Sequence, residues 1–166
     1  MTLLRQGSEG QGAEGAGLKL DSYLPYRLSV ASNAVSGLIA RAYEDRFGLT
    51  VPQWRVICVL AEDGGLTQVQ VVARTVMDKV TVSRAAQGLV KRRLVTRAEN
   101  KTDGRSHVLA LTPEGRSLHA EIAPLALAYE AALIAGLAPD EVVLLKRLLG
   151  RLQAAAGQLS GEGAPP

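Results

Sequence analysis

Cysteine is almost absent from this chain: Cys58 is the only one in 166 residues, which excludes an intrachain disulfide and a thiolate metal cluster. Histidine is nearly as scarce, with His107 and His119 alone. Neither has a second metal ligand at a familiar spacing, and the chain carries no glycine-rich phosphate loop. The two histidines read as surface or interface polar residues. These gaps disfavour an enzyme and leave no cofactor and no metal to expect. Aromatic residues make up 4% of the chain, so its core must be mostly Leu, Val and Ala, which favours packed helices over a large sheet. No apolar run approaches the roughly 20 residues of a membrane span. The N-terminus lacks the basic start and apolar stretch of a secretion signal. The expectation is a protein of the reducing cytoplasm with no membrane partner.

What is present is a 47% hydrophobic chain of single-domain length, and a charge pattern that says more than its total. Residues 74–105 hold nine Lys or Arg against three acids, a local excess of six in a chain whose net charge is +3. The rest is therefore net negative, and the positive charge is concentrated in one segment. A localised basic patch suits phosphate binding, although a solvated helix face would also account for it.

Both ends are poor in large apolar residues. Residues 1–17 and 161–166 are expected to be disordered tails around a single domain at 18–160. Leu20, Leu24, Leu28, Ala31, Val35, Leu38, Ile39 and Ala42 recur at helical spacing and predict a long first helix stopping at Gly48. Thr50-Val-Pro-Gln53 has the form of a capping box that opens a second helix to about residue 61, and Thr67-Gln-Val-Gln70 repeats it for a short third. After a break at 76–78, Asp78 can cap a fourth helix running through Arg93. There Val82, Ala86, Leu89 and Val90 share one face at 100° per residue, while Val80, Arg84, Gln87 and Lys91 lie opposite, flanked by Thr81 and Ser83. That outward face mixes side chains suited to base edges with others suited to phosphates.

Residues 94–98 and 106–111 are short, β-branched or apolar stretches joined by the charged tip Glu99-Asn-Lys-Thr-Asp-Gly-Arg105, the pattern of a two-stranded hairpin. Thr112 and Pro113 cap a fifth helix, and Pro139 with Asp140 and Glu141 opens a sixth that ends near residue 158. Val142, Val143, Leu144, Leu145, Leu148, Leu149 and Leu152 give the sixth an apolar surface wider than one core-facing stripe requires. The excess predicts a partner helix, most simply from a second copy. A helix-turn-helix followed by a charged hairpin has the parts of a winged helix that reads DNA.

Asp103-x-Arg105-x-x-x-Leu109-x-Leu111-Thr112-x-x-Gly115, with Leu49-Thr-x-Pro-Gln-Trp54 and Asp78-x-x-Thr-x-Ser-Arg84, resembles the multiple antibiotic resistance regulator (MarR) family of bacterial winged-helix transcription factors. The resemblance covers roughly residues 20–158. It implies a fold that is mainly α with a small β-hairpin wing: a winged helix-turn-helix at about 50–112 plus a helical dimerisation layer from about 20–47 and 113–158. It also implies a homodimer on double-stranded DNA with an inverted-repeat operator.

By the same resemblance the fourth helix enters the major groove. Arg84 there can address a guanine, Gln87 an adenine or a phosphate, and Lys79, Thr81 and Ser83 neighbouring bases or phosphates. Arg105 would reach the minor groove from the wing, aided by Lys101, with Asp103 holding the arginine; a salt bridge that merely shapes the turn is the plainer reading of that pair. Some members sense peroxide through a cysteine near the start of the first helix, where this chain has Tyr26. Cys58 lies among Val56, Ile57, Val59 and Leu60 and reads as a buried thiol.

Small-molecule sensing remains, with Tyr23, Tyr26, Arg27, Trp54 and Arg55 as ligand-binding candidates. Arg27 suits a carboxylate or phosphate, and the rings suit an aromatic slot. The opening Tyr-Leu-Pro-Tyr-Arg-Leu is similar to members that control degradation of plant-derived aromatic acids or their coenzyme A thioesters. The plain alternatives are Trp54 as core packing and Arg27 as an interhelical ion pair. The expected function is a DNA-binding repressor released by such an effector. The alternatives are a helical dimeric interaction module without DNA binding and a thiol redox-sensing regulator acting through Cys58.

Overall fold

The computed structural model describes residues 17–100 and 104–162. Most of both expected tails, together with Lys101 and Asp103 at the wing tip, lies outside the described residues. The chain divides into two units, residues 1–37 and 38–166.

In the first unit a single 3-10 turn, Leu20–Ser22, precedes the α-helix. The first helix, α1 (Leu24–Phe47), therefore starts four residues later than its apolar spacing suggests, and it continues into the second unit. Pro25 accounts for the late start: its ring is tolerated only in a first helical turn. Gly48, at φ 61°, ends the helix in the left-handed region.

The second unit contains α2 (Val51–Asp63), β1 (Leu66–Thr67), α3 (Gln68–Thr75), α4 (Lys79–Lys91), β2 (Val95–Glu99), β3 (His107–Leu111), α5 (Pro113–Ile134) and α6 (Pro139–Glu162). Both expected capping boxes form. Thr50 N–H donates to Gln53 Oε1 at 3.0 Å and Thr67 N–H to Gln70 Oε1 at 2.8 Å, while each threonine hydroxyl accepts the backbone N–H three residues on.

Three further elements differ from the sequence reading. The wing belongs to a three-stranded antiparallel sheet in the order β1-β3-β2, because Leu66 and Thr67 pair with Leu109 and Val108. The fourth helix ends at Lys91 rather than Arg93, which sits at φ 59° in the turn to β2. The sixth helix runs on to Glu162, past the expected end near residue 158 and two residues into the stretch assigned to the tail.

The core of this unit is aliphatic. Leu49, Val56, Ile57, Val71, Val82 and Leu89 are fully enclosed where α2, α3 and α4 meet, and Leu109, Leu111 and Ile122 extend the core to β3 and α5. Burying each such side chain contributes on the order of 2 kcal/mol. The face of α4 turned inward holds Val82, Ala85, Ala86 and Leu89, with Val90 half-buried, so the helix can only present Val80, Arg84, Gln87 and Lys91 outward. In contrast, α6 buries almost nothing: Leu144, Leu145, Leu148, Leu149 and Leu152 are all exposed in the single chain. No single helix among the described residues is long and apolar enough to cross a membrane.

Candidate nucleic-acid interface

Asp78 sets the start of α4. Its Oδ1 accepts the Thr81 N–H at 2.8 Å and its Oδ2 accepts the Thr81 hydroxyl at 2.5 Å. The hydroxyl bond is the main reason the Asp78 carboxyl lies below the usual carboxylate range. Thr81, expected to meet bases or phosphates, therefore already has its hydroxyl proton committed to the cap. Gln68 on α3 reaches the Lys79 carbonyl at 3.5 Å, and Gln87 Nε2 donates to Ser83 Oγ at 3.4 Å, so Ser83 and Gln87 form a polar pair on one side of α4.

Between that side of α4, the start of α3 and the wing lies an open cleft of about 970 Å³. The described residues lining it include Lys79, Lys91, Arg97 and Arg105, with His107 beside them, and no carboxylate. Arg97 Nη2 lies 3.3 Å from His107 Nδ1 across the strand pair. Of the expected DNA-contacting residues, Lys79, Ser83, Gln87 and Arg105 line this cleft, whereas Arg84 is exposed on the outer face of α4. Sequence reasoning missed Arg97 as a site residue, and it placed Lys91 on the outward face of α4 without naming it as a DNA contact. Arg97 alternates outward along β2 and Lys91 follows Gln87 by four on α4, and these periodicities were the available signals.

Two of the basic residues that made this segment conspicuous serve the fold instead. Arg74 forms ion pairs with Asp63 at 2.5 Å and Glu62 at 3.0 Å, tying α3 to the end of α2. Arg92 donates to the Gly48 and Phe47 carbonyls at 2.8 and 2.7 Å, closing the carboxyl end of α1 with a cation.

Residues 47–106 match the model of the MarR family. A solved MarR family transcriptional regulator from Silicibacter pomeroyi is 30% identical, with 82% of this chain and 91% of that one covered and a TM-score of 0.71. The chain belongs to the MarR family. Two other relatives are similar over most of their length. Bordetella bronchiseptica BpsR, a structure concerned with regulation of DNA binding by 6-hydroxynicotinic acid, is 28% identical, covering 82% of this chain and 96% of that one, with a TM-score of 0.76. The transcriptional regulator MgrA of Staphylococcus aureus is 26% identical over 80% of this chain and 89% of its own.

As a MarR-family transcriptional regulator, the chain has a second set of residues to consider, the candidate effector contacts. Tyr23, Tyr26 and Arg27 are exposed and belong to the first unit. In the second unit Arg55 is exposed, and Trp54 is half-buried against the core. The ring partners of Trp54 are Tyr43, at 5.8 Å and tilted by 34°, and His119, stacked at 5.5 Å. His119 is thus a half-buried packing residue rather than a purely surface group. Burial raises the Tyr43 hydroxyl above its ordinary pKa, with Glu44 adding to the effect. Sequence reasoning missed both Tyr43 and His119 as aromatic neighbours of Trp54.

Burial also pushes the Cys58 thiol up to about 12, with Glu62 contributing, which leaves essentially no thiolate near neutral pH. No group of three or more His, Cys, Asp or Glu suited to a metal ion occurs among the described residues.

Proposed function

We propose that this chain is a sequence-specific regulator that binds an inverted-repeat operator in double-stranded DNA as a two-fold dimer, acts as a repressor, and lets go when a small aromatic acid or its coenzyme A thioester binds. The observation that carries the reading is the cleft between α4 and the wing, lined by Lys79, Lys91, Arg97 and Arg105 without a carboxylate among its described residues. A helix in the major groove and a wing in the minor groove leave one phosphodiester strand between them, and the cleft offers that strand cations from both sides. In this reading Arg84 and Gln87 address base edges from the exposed face of α4. Arg105 enters the minor groove, and Lys79 and Ser83 hold the backbone. The exposed leucines of α6 supply the surface for the second copy.

The effector half of the proposal rests on kinship with BpsR and on residue types suited to an aromatic carboxylate, Tyr23, Tyr26 and Arg27 in the first unit and, separately, Trp54 and Arg55 in the second. The acid must favour a lobe arrangement that fits DNA poorly, since a ligand indifferent to both states shifts neither.

The test is selection of duplexes from a random pool by the full chain, followed by affinity measured against salt. Four phosphate-binding cations per protomer give about eight contacts for a dimer and a slope of log K on log salt of about −7. Arg84→Ala should relax preference at one position per half-site, at about 1 to 3 kcal/mol, whereas Arg105→Ala should weaken all sequences and flatten the slope by about 2. No enrichment of paired half-sites, or affinity indifferent to salt, defeats the reading.

A further inference from the structure

Val80 stands out on α4 because nothing local asks for it. It is 58% exposed, on a face otherwise occupied by Arg84, Gln87 and Lys91, while the apolar demand of the core is met from the opposite side by Val82, Ala85, Ala86 and Leu89. A β-branched residue there gains nothing in helix propensity over Ala and leaves apolar surface in water. Its position is specific, however: second residue of the helix, one turn ahead of Arg84, at the end held rigid by the Asp78–Thr81 cap.

The proposed function puts this face against the floor of the major groove. Base-pair edges there carry donors, acceptors and one apolar group, the C5-methyl of thymine. We propose that Val80 reads a thymine methyl in each half-site, about two base pairs from the one addressed by Arg84. The inference rests on the DNA-binding reading and adds a specificity element to it.

Geometry fixes the register. Residues 80 and 84 are four apart, about 6 Å along a helix axis. Base pairs rise about 3.4 Å, so the thymine should lie about two base pairs from the Arg84-dependent position. Two-fold symmetry repeats the pair once in the other half-site. Covering one methyl group is worth about a fourfold change in affinity per half-site, and so about fifteenfold for both.

The experiment uses the duplexes that the full-length protein enriches from a random-sequence pool. Each thymine is replaced singly by deoxyuridine, which removes the methyl and leaves every hydrogen-bonding group in place. The expected result is one sensitive position per half-site, about two base pairs from the position whose preference Arg84→Ala relaxes, with a loss of about fourfold. Val80→Ala, on an exposed helical site, alters both protomers, so it should lose about fifteenfold on the thymine duplex and then bind thymine and deoxyuridine duplexes equally. Indifference of the wild-type protein to deoxyuridine at every position overturns the inference and leaves the DNA-binding reading intact. So does a Val80→Ala protein that still loses fourfold on the deoxyuridine substitution. Failure to enrich any duplex defeats the DNA-binding reading itself, and this inference with it.

Discussion

Gly115 is the position where a single methyl group should do the most damage. It is buried in the first turn of α5, and a Cβ built there would sit inside the contact distance of the Leu94 carbonyl oxygen, 3.1 Å from the Leu94 carbonyl carbon and 3.3 Å from Leu111 Cδ2. The obstacle is backbone, so it cannot swing aside. Moving it would disturb the junction between β2, β3 and α5, where Thr112 N–H donates to the Leu94 carbonyl at 3.1 Å, the Thr112 hydroxyl donates to the Arg93 carbonyl at 2.9 Å, and Gly115 N–H donates to Thr112 Oγ1 at 2.9 Å.

Overpacking of this kind costs about 1 to 3 kcal/mol. Loosening two of the three hydrogen bonds adds about 2. The better helix propensity of Ala returns at most about 1. Gly115→Ala should therefore lose about 3 kcal/mol, equivalent to roughly 10 °C in a chain of this size. Gly88→Ala is the internal control, because there the new methyl would meet only the end of the Gln53 side chain, 2.5 Å away, which can move. Loss of its capping-box bond and the gain in propensity nearly cancel, within about 1 kcal/mol. Urea denaturation at one fixed protein concentration, followed by circular dichroism, measures both. A Gly115→Ala protein within about 1 kcal/mol of the parent, or a Gly88→Ala protein less stable than Gly115→Ala, would refute the packing argument.

Arg92→Ala should cost about 1 to 2 kcal/mol by uncovering the Phe47 and Gly48 carbonyls, and Arg92→Lys should recover only part, since one ammonium does not span both acceptors as the guanidinium fork does; equal melting of all three proteins would deny the bond any role. Leu148→Arg with Leu152→Arg should give a folded monomer with greatly weakened DNA affinity, checked by light scattering and a binding titration; an unchanged mass would move the dimer surface elsewhere. Cys58 should react slowly with thiol reagents at pH 7 in the native state and quickly in urea, and peroxide should leave DNA binding unchanged; prompt native reaction would reopen thiol sensing. The unfolded thiol ionises near its ordinary 9.0 and the folded one near 12, so the unfolded chain sheds its proton first. This group's contribution to stability should therefore be lost as pH rises from 9 towards 12. Arg27→Ala should abolish release of DNA by hydroxybenzoates, hydroxycinnamates or their coenzyme A esters while leaving DNA affinity nearly intact; parental release from the variant would remove Arg27 from the effector site.

Which features were legible in the sequence follows from how far apart their causes lie. The capping boxes at Thr50 and Thr67 and the two faces of α4 depend on residues three and four apart, and periodicity displays them. The short strand β1 depends on Leu109 and Val108, some forty residues on, and two residues hold no period. The stack of Trp54 on His119 spans a wider gulf still, which no helical period displays, and the aromatic slot expected from Tyr23, Tyr26 and Trp54 missed it. Tyr43 was closer to view, four residues after Ile39 on the same helix face. The left-handed turn at Arg93 had no signal at all, because the usual marker is glycine and an arginine stands there.

Charge is the instructive case, since a count along the chain treats every cation alike. Nine Lys or Arg in residues 74–105 suggested a broad phosphate-binding surface. Arg74 ties α3 to α2 and Arg92 closes α1, and neither lines the cleft that Lys79, Lys91, Arg97 and Arg105 share. Counterion release turns this difference into a number. Four contacts per protomer give a dimer slope of about −7, while nine would give about −16. A measured slope near the larger value would mean that the segment acts as an undifferentiated basic patch. A slope near the smaller one, reduced by about 2 in Arg97→Ala, would assign phosphate binding to the cleft.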